Sequence, residues 1–354
     1  MVLRSQPYVL VTSSGWIRRG IVKAITEACG RPARTIADVR SLPTVEFVSE
    51  RSTIRLGATQ VVAVGGGSVI DAAKAIVALS SNARRSSRKP AVLSRRLTGR
   101  ERLRLSKTVP TLIAVPTTAG TGSEVTPTAT VWGTGGEKYS LADPALRPAW
   151  AILDPRLCST MDPVLALSTA LDAVSHAMEA VWNSRHTPVS DVAAKSALEL
   201  LVEALRRRYR IGDVDGAGRR QMGAFYAGLA IASTRTGLAH SISYPLTGRF
   251  GVPHGFACSF TLGEVARFNL RGDLERLRVL ADCFSCSLRQ LPDVINGWLR
   301  GLGVGGHILP RLGRCALETL AQEFIDPTRA GNNVRPASAD DAVRIVRRSL
   351  EAMS

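Results

Sequence analysis

The sequence predicts an α/β domain built on a parallel sheet, followed by an all-α domain. Three observations carry this. Short apolar runs alternate with helical patterns through the first half. Strand-like runs almost vanish after about Leu157, and long amphipathic stretches take their place.

The first run, Tyr8 to Val11, reads as a short strand, and Trp16 to Ala28 follows with helical spacing. Val61 to Val64 is a buried-strand pattern that ends in three glycines, and Asp71 to Leu79 then reads as a helix. Leu112 to Val115 is a third strand, closed by Pro116. Ala151 to Leu153 is a fourth, closed by Asp154 and Pro155. Strands alternating with helices call for a parallel sheet covered on both faces. Helical stretches follow at Val164–Trp182, Val189–Arg208, Gln221–Ser233, Leu274–Cys283 and Ser338–Ala352. The change falls between Asp154 and Asp162, so residues 1–157 and 158–354 are expected to form separate domains.

A chain of 354 residues, 45% hydrophobic, can bury two cores. No apolar run reaches the roughly 20 residues of a membrane span. The run near the N-terminus is too short for a signal peptide. A soluble, cytoplasmic protein is expected, with no membrane partner. The six cysteines do not read as a disulfide framework, and Cys283 and Cys286 lack a second pair to complete a zinc site. The net charge of +17 raises nucleic-acid binding. Much of the excess crowds into 84–107, at Arg84, Arg85, Arg88, Lys89, Arg95, Arg96, Arg100, Arg102, Arg104 and Lys107. No aromatics interleave there and no nucleic-acid motif accompanies it. A solvated loop is the expectation, with the positive field drawing an anionic substrate as the other reading.

Gly65-Gly66-Gly67-Ser68 lies between a predicted strand and a helix. Glycines admit close approach of a ligand to the backbone, and the helix start offers free N–H groups to a phosphate. A tight turn with no ligand fits the same residues. The stretch Pro116 to Glu124 follows another strand and combines glycines with hydroxyls. Two such loops at strand C-terminal ends suggest a dinucleotide across the sheet edge. In the second half, Asp172 and His176 share a helix face, and His240 and His254 follow beside glycines. One carboxylate and three imidazoles can hold a divalent ion with a position left open. An ordinary hydrogen-bonded Asp–His pair fits that spacing equally.

These motifs resemble those of the iron-containing, group III alcohol dehydrogenases. Gly65 to Asp71 resembles that family's GGGSxxD signature, and Pro116 to Glu124 its PTTAGTGSE segment. Asp172 to Ala180 resembles its DALTHALEA helix, and His240 to Gly255 its HxxxHPLGxxxxxPHG stretch. Asp326 to Arg335 loosely follows its D-x-NPR pattern. The resemblance spans essentially the whole chain and implies a dehydroquinate synthase-like fold, with a nucleotide-binding α/β domain and a helical metal-binding domain. It implies Asp172, His176, His240 and His254 as metal ligands. Gly65, Gly66, Gly67, Ser68 and Asp71 would form the pyrophosphate loop, with Thr117, Thr118, Thr121 and Ser123 along the cofactor and Lys138 touching it. Fe²⁺ is the implied metal, and Zn²⁺ suits the same donors.

Two departures bear on chemistry. Family members often carry an acid after the first strand, where this chain has Ser13. Without that carboxylate, and with Arg18 and Arg19 nearby, NADPH is expected over NADH. Tyr244 stands where the family has a second histidine that relays a proton. Arg235, five residues before His240, together with Arg249, points to an anionic aldehyde. The His240 to Phe250 stretch resembles the subgroup that reduces phosphonoacetaldehyde to 2-hydroxyethylphosphonate, a step of phosphonate biosynthesis. The expected function is therefore aldehyde reduction by a homodimer, with Tyr244 and Arg235 in the site. Reduction of another small aldehyde, a polyol-phosphate dehydrogenase and a dehydroquinate synthase-like lyase are the alternatives on the same fold. A basic nucleic-acid-binding protein is the alternative from another class.

Overall fold

Among the described residues, seven strands form in the first half of the chain: β1 (Tyr8–Thr12), β2 (Arg34–Ile36), β3 (Gln60–Gly65), β4 (Thr111–Pro116), β5 (Thr128–Trp132), β6 (Lys138–Ala142) and β7 (Trp150–Ala151). The computed structural model describes residues 6–52, 59–81, 90–98, 105, 109–135, 137–207, 209–312 and 316–354. Five strands make one parallel sheet in the order β2-β1-β3-β4-β7, and β5 and β6 form an antiparallel pair.

Successive strand residues point to opposite faces, and the sheet's two faces feed two separate cores. Val9, Val11, Val61, Ala63, Leu112 and Ala114 pack with the helix Gly67–Ser81 on one side. Tyr8, Leu10, Val62, Val64 and Ile113 pack against Ile21, Val22 and Ile25 on the other. Burial on both faces explains why these strands read as continuous apolar runs. The register aligns Thr12 with Val64, and Val64 with Val115. The chain therefore leaves β1, β3 and β4 along one sheet edge, at Ser13, Gly65-Gly66 and Thr117.

The helical half is built around Pro163–Val181, which packs against Pro188–Arg206, Val214–Thr234 and His254–Ser259. Asp162 starts this helix by accepting from the Val164 and Leu165 amides. By length and apolar content alone it is able to cross a membrane. Since 78% of its apolar window is buried within the protein, it is a core helix. The chain clusters into two compact units, Met1–Thr118 with Ser123–Leu157, and Ala119–Gly122 with Cys158–Ser354. The second takes in four residues of the PTTAGTGSE segment. A Cβ on Gly120 would stand 2.6 Å from the Thr169 carbonyl oxygen, so only glycine lets that loop lie against the 163–181 helix.

Several expectations need correction. Trp16 to Ala28 is two helices, Ser14–Arg18 and Ile21–Cys29, because Gly20 breaks the run at φ +79°. The strand expected at Ala151–Leu153 is the two-residue β7, Trp150–Ala151. Strand β2 escaped the sequence because only Ile36 of its three residues is buried. The β5–β6 hairpin was missed as well, and so was the helix Leu238–Phe250, which carries Pro245 inside it. Of the basic residues named in 84–107, only Arg95 and Arg96 are described, on the helix Pro90–Leu97. The others lie outside the described residues. Cys283 and Cys286 are free thiols packed against the helical core.

Candidate metal centre

Asp172, His176 and Glu179 fall at spacings of four and three on the helix Pro163–Val181 and so share a face. All three are buried, beside a core of aliphatic and aromatic side chains. A carboxylate in such surroundings requires a compensating charge. Imidazoles supply it: Asp172 Oδ1 lies 3.5 Å from His176 Nε2, 3.3 Å from His240 Nε2 and 3.8 Å from His254 Nε2. His240 stands in the first turn of the helix Leu238–Phe250, and His254 begins the helix His254–Ser259. The His176 and His240 rings stack with centroids 4.7 Å apart, and the His254 ring meets His240 edge-on at 5.4 Å.

The structure thus brings together all four residues that the sequence nominated as ligands. Sequence reasoning missed two others. Glu179 accepts from His240 Nδ1 at 2.6 Å, and from the Gly237 and His240 amides at 2.8 and 3.0 Å. Fixing Nδ1 in this way turns Nε2 toward Asp172, the arrangement that orients metal-bound histidines. The Asp172-His176-Glu179 stripe was the available signal. The second is Cys258, whose thiol lies 3.6 Å from Asp172 Oδ1. Donor atoms of Asp172, His240, His254 and Cys258 all lie within 4.8 Å of one another. Cys258 gave no sequence signal beyond being one cysteine among six.

The electrostatics fit a cation. Burial would raise the Asp172 carboxyl, but the charges of His176, His254 and His240 and the His240 hydrogen bond outweigh it and hold the group far below the usual range. Burial opposes charge on His240, yet Glu179 and Asp172 push it up to about 10. Two carboxylates therefore demand positive charge at this point. Nitrogen and carboxylate donors at such spacing suit a first-row divalent metal.

Tyr244 faces the cluster. Its ring lies over His254 with centroids 6.4 Å apart, and its hydroxyl accepts from Arg329 Nε at 3.0 Å. The other sequence-nominated cations behave differently. Arg249 pairs with Glu323 at 2.8 Å. Arg235 is exposed and closes the helix Val214–Thr234 at φ 67°, ψ 178°, backbone space that normally belongs to glycine. Asn183 and Thr234 both donate to its carbonyl oxygen.

In the α/β unit, the glycine loop is shaped by close approach. A Cβ on Gly65 would stand 2.4 Å from Val69 Cγ2, and one on Gly66 would stand 3.0 Å from Thr118. Gly67 and Ser68 open the helix Gly67–Ser81, with Ser68 Oγ accepting from the Leu42 amide. Thr117 Oγ1 accepts from Trp16 Nε1 at 3.0 Å. Ser13 sits at the N-cap of Ser14–Arg18. Lys138 lies over the Trp132 ring at 5.8 Å. Thr121 belongs to the segment that clusters with the helical unit.

Asp71 and Ser123 meet each other. Ser123 Oγ donates to Asp71 at 2.5 Å, and the Thr130 amide donates to the same carboxylate at 2.9 Å. Between them sits Lys74, which the sequence analysis overlooked although it is the lone cation of an apolar helix. Its ammonium donates to the carbonyls of Ser123, Thr126 and Thr128 at 2.6, 2.8 and 2.8 Å. Burial pushes Lys74 down to about 8 and Glu124 up to about 6, each only partly offset by the opposite charge of the other group and, for Lys74, of Asp71.

The comparisons agree with this architecture. The family model for iron-containing alcohol dehydrogenases matches residues 2–155, and that for the family's C-terminal part matches 166–305. A phosphonoacetaldehyde reductase of Streptomyces viridochromogenes is 36% identical over 275 residues, 75% of this chain and 68% of that protein. A 1-propanol dehydrogenase of Citrobacter freundii is 31% identical over 285 residues, 80% of this chain and 70% of that protein. Among solved structures, sulfoacetaldehyde reductase from Bifidobacterium kashiwanohense in complex with NAD+ superposes with a TM-score of 0.87 at 25% identity, covering 99% of this chain and 92% of that one. The chain belongs to the iron-containing alcohol dehydrogenase family and is an NAD(P)-dependent, metal-dependent oxidoreductase of alcohols and aldehydes.

Proposed function

We propose that this enzyme reduces a small anionic aldehyde, with phosphonoacetaldehyde giving 2-hydroxyethylphosphonate as the best candidate. The observation that carries its chemistry is the convergence of three imidazoles on the Asp172 carboxylate. Asp172, His176, His240 and His254 would hold Fe²⁺, or Zn²⁺ in its place. When bound, the metal polarises a carbonyl oxygen and the nicotinamide supplies hydride chemistry. Glu179 keeps the His240 ring in the orientation that presents Nε2. Tyr244 accepts from Arg329 beside the cluster, and its hydroxyl would deliver the proton to the carbonyl oxygen as the carbonyl carbon is reduced.

For the cofactor, Gly65, Gly66, Gly67 and Ser68 would cradle the pyrophosphate. Thr117, Thr118, Thr121 and Lys138 would line its path. Asp71 and Ser123 are bonded to each other, so their part is to fix the loop. Ser13, in place of an acid at the end of β1, favours NADPH. The anionic substrate is supported by the 36% identity to a phosphonoacetaldehyde reductase and by the exposed Arg235. Arg329, beside Tyr244, adds a second cation. A neutral aldehyde is the second reading, supported by the likeness to a 1-propanol dehydrogenase. We place the enzyme in the cytoplasm as a homodimer.

The test follows NADPH and NADH oxidation by metal-loaded protein under anaerobic conditions. Phosphonoacetaldehyde is compared with propanal and other neutral aldehydes of similar size. A kcat/KM far higher for phosphonoacetaldehyde supports the proposal, and turnover of the neutral set alone discards the anionic substrate.

A further inference from the structure

Away from the metal ligands, the helical unit holds a recess of about 220 Å³ into which five arginines converge. Arg267 and Arg271 come from the end of the helix Leu262–Asn269 and the residues just after it. Arg344 and Arg348 stand four apart on one face of the helix Ala339–Met353. Arg335 closes the set. Its guanidinium lies 3.8 Å over the Phe268 ring, and it donates to the Phe268 carbonyl at 2.9 Å. Asn333 in turn donates to the Arg335 carbonyl at 2.7 Å, which fixes the backbone there.

Five like charges around so small a space repel one another unless anions offset them. The acids present do so only in part. Glu264 and Asp293 are both taken up by Arg267, and Glu264 also accepts from Asn296. Asp341 is taken up by Arg344 and by the Ser338 amide and hydroxyl. Arg271 and Arg348 have no ion pair among the described residues, and Arg335 is held by an aromatic face and a carbonyl rather than by an acid. Three arginines are thus left without an ion pair among the described residues, in a recess that Glu264 and Asp341 also line. Planar guanidinium forks match phosphoryl oxygens in pairs. The volume lies below the roughly 300 Å³ at which pockets for drug-sized ligands begin, so a dinucleotide does not fit.

We propose that this recess is a second, non-catalytic binding site for a compact phosphoryl anion, pyrophosphate or a small phosphate ester, held by Arg271, Arg335 and Arg348. Occupancy would brace the two helices that supply the arginines and raise the protein's thermal stability.

The experiment is calorimetric titration of inorganic pyrophosphate into the enzyme with metal and NADPH bound, at constant ionic strength. NADPH occupies the glycine loop and 2-hydroxyethylphosphonate the substrate site during the titration, so neither competes. Glycerol phosphate in a parallel arm separates an ester ligand from free pyrophosphate. Arg271 and Arg348 are exposed, so the R271A/R348A double variant is expected to fold. The expected result is saturable one-to-one binding, weakened at least about tenfold in R271A/R348A, as loss of charge-assisted pairs requires. A charge-matched control, R34A/R289A, should stay within about twofold of the parent. Absence of saturable binding for both probes overturns the proposal, as does an equal loss in the two double variants. Binding that is insensitive to R271A/R348A overturns it too, by placing the anion elsewhere.

Discussion

Glu179 accepts the Nδ1 hydrogen of His240 at 2.6 Å from a position buried completely in the helical core. An ionised carboxylate only accepts, so the His240 tautomer is set from one side and Nε2 is left facing Asp172. Glu179→Gln exchanges one acceptor oxygen for an NH2 group, which opposes either the imidazole N–H together with the Gly237 amide, or the His240 amide. We expect metal affinity to fall about 10–100-fold, the usual cost of losing such a partner. Chelator competition measures it. Unchanged affinity would make Glu179 a purely structural group.

Tyr244→Phe keeps the ring over His254 and removes the hydroxyl that accepts from Arg329. If that hydroxyl delivers the proton, kcat should fall about 10²-fold or more while the KM for the aldehyde changes little. A variant with full kcat and an unaltered pH profile would assign proton delivery to solvent.

Arg235→Ala should raise the KM for phosphonoacetaldehyde and leave that for propanal unchanged. One charge-assisted contact predicts a rise of about tenfold. An equal KM for the anionic aldehyde in variant and parent would remove Arg235 from substrate recognition, leaving Arg329 as the cation to examine.

Lys74→Met deletes the ammonium from which three carbonyls and two hydroxyls accept, and removes the cation that partly offsets the charges of Asp71 and Glu124. Leaving buried acceptors without their donor costs about 1–3 kcal/mol each, so a total of about 3 kcal/mol or more is expected. Urea unfolding of metal-free protein should show a loss of that size. A loss below about 1 kcal/mol would mean that the network relaxes without its cation.

The same network predicts a pH dependence. Burial raises Glu124 from 4.5 to about 6, so the folded protein binds this proton more tightly than the unfolded chain does. Its contribution is therefore fully present below pH 4.5 and is lost as pH rises through about 6. Glu124→Gln should remove that slope and stabilise the protein at pH 7, by up to about 2 kcal/mol on the scale of 1.36 kcal/mol per unit. Thermal unfolding from pH 4 to 8 checks the sign. A parent protein whose Glu124-dependent stability rises across this window would contradict it.

The sequence carried some features of the fold and site and hid others for physical reasons. Strands buried on both faces stand out as apolar runs, so β1, β3 and β4 were legible. Arg34, Thr35 and Ile36 form an edge strand with one buried residue and give no such run. The grouping of Asp172, His176, His240 and His254 was legible in part because histidine is scarce here and Asp172 and His176 share a helix face, and the resemblance to the family nominated them as ligands. Cys258 was not, since a buried cysteine in a helix has the same pattern as a core alanine. Lys74 and Asp71 show a further limit. Their meaning lies in which atoms fold back on them from 123–130, some fifty residues along the chain.

The most direct test of the central claim compares the parent enzyme with His254→Ala after anaerobic loading with Fe²⁺. Bound metal per chain and NADPH oxidation with an aldehyde are measured on the same samples. The account predicts one metal ion and turnover for the parent, and loss of both in the variant. A His254→Ala protein that keeps its metal and its activity would contradict the assignment of this cluster as the catalytic metal centre.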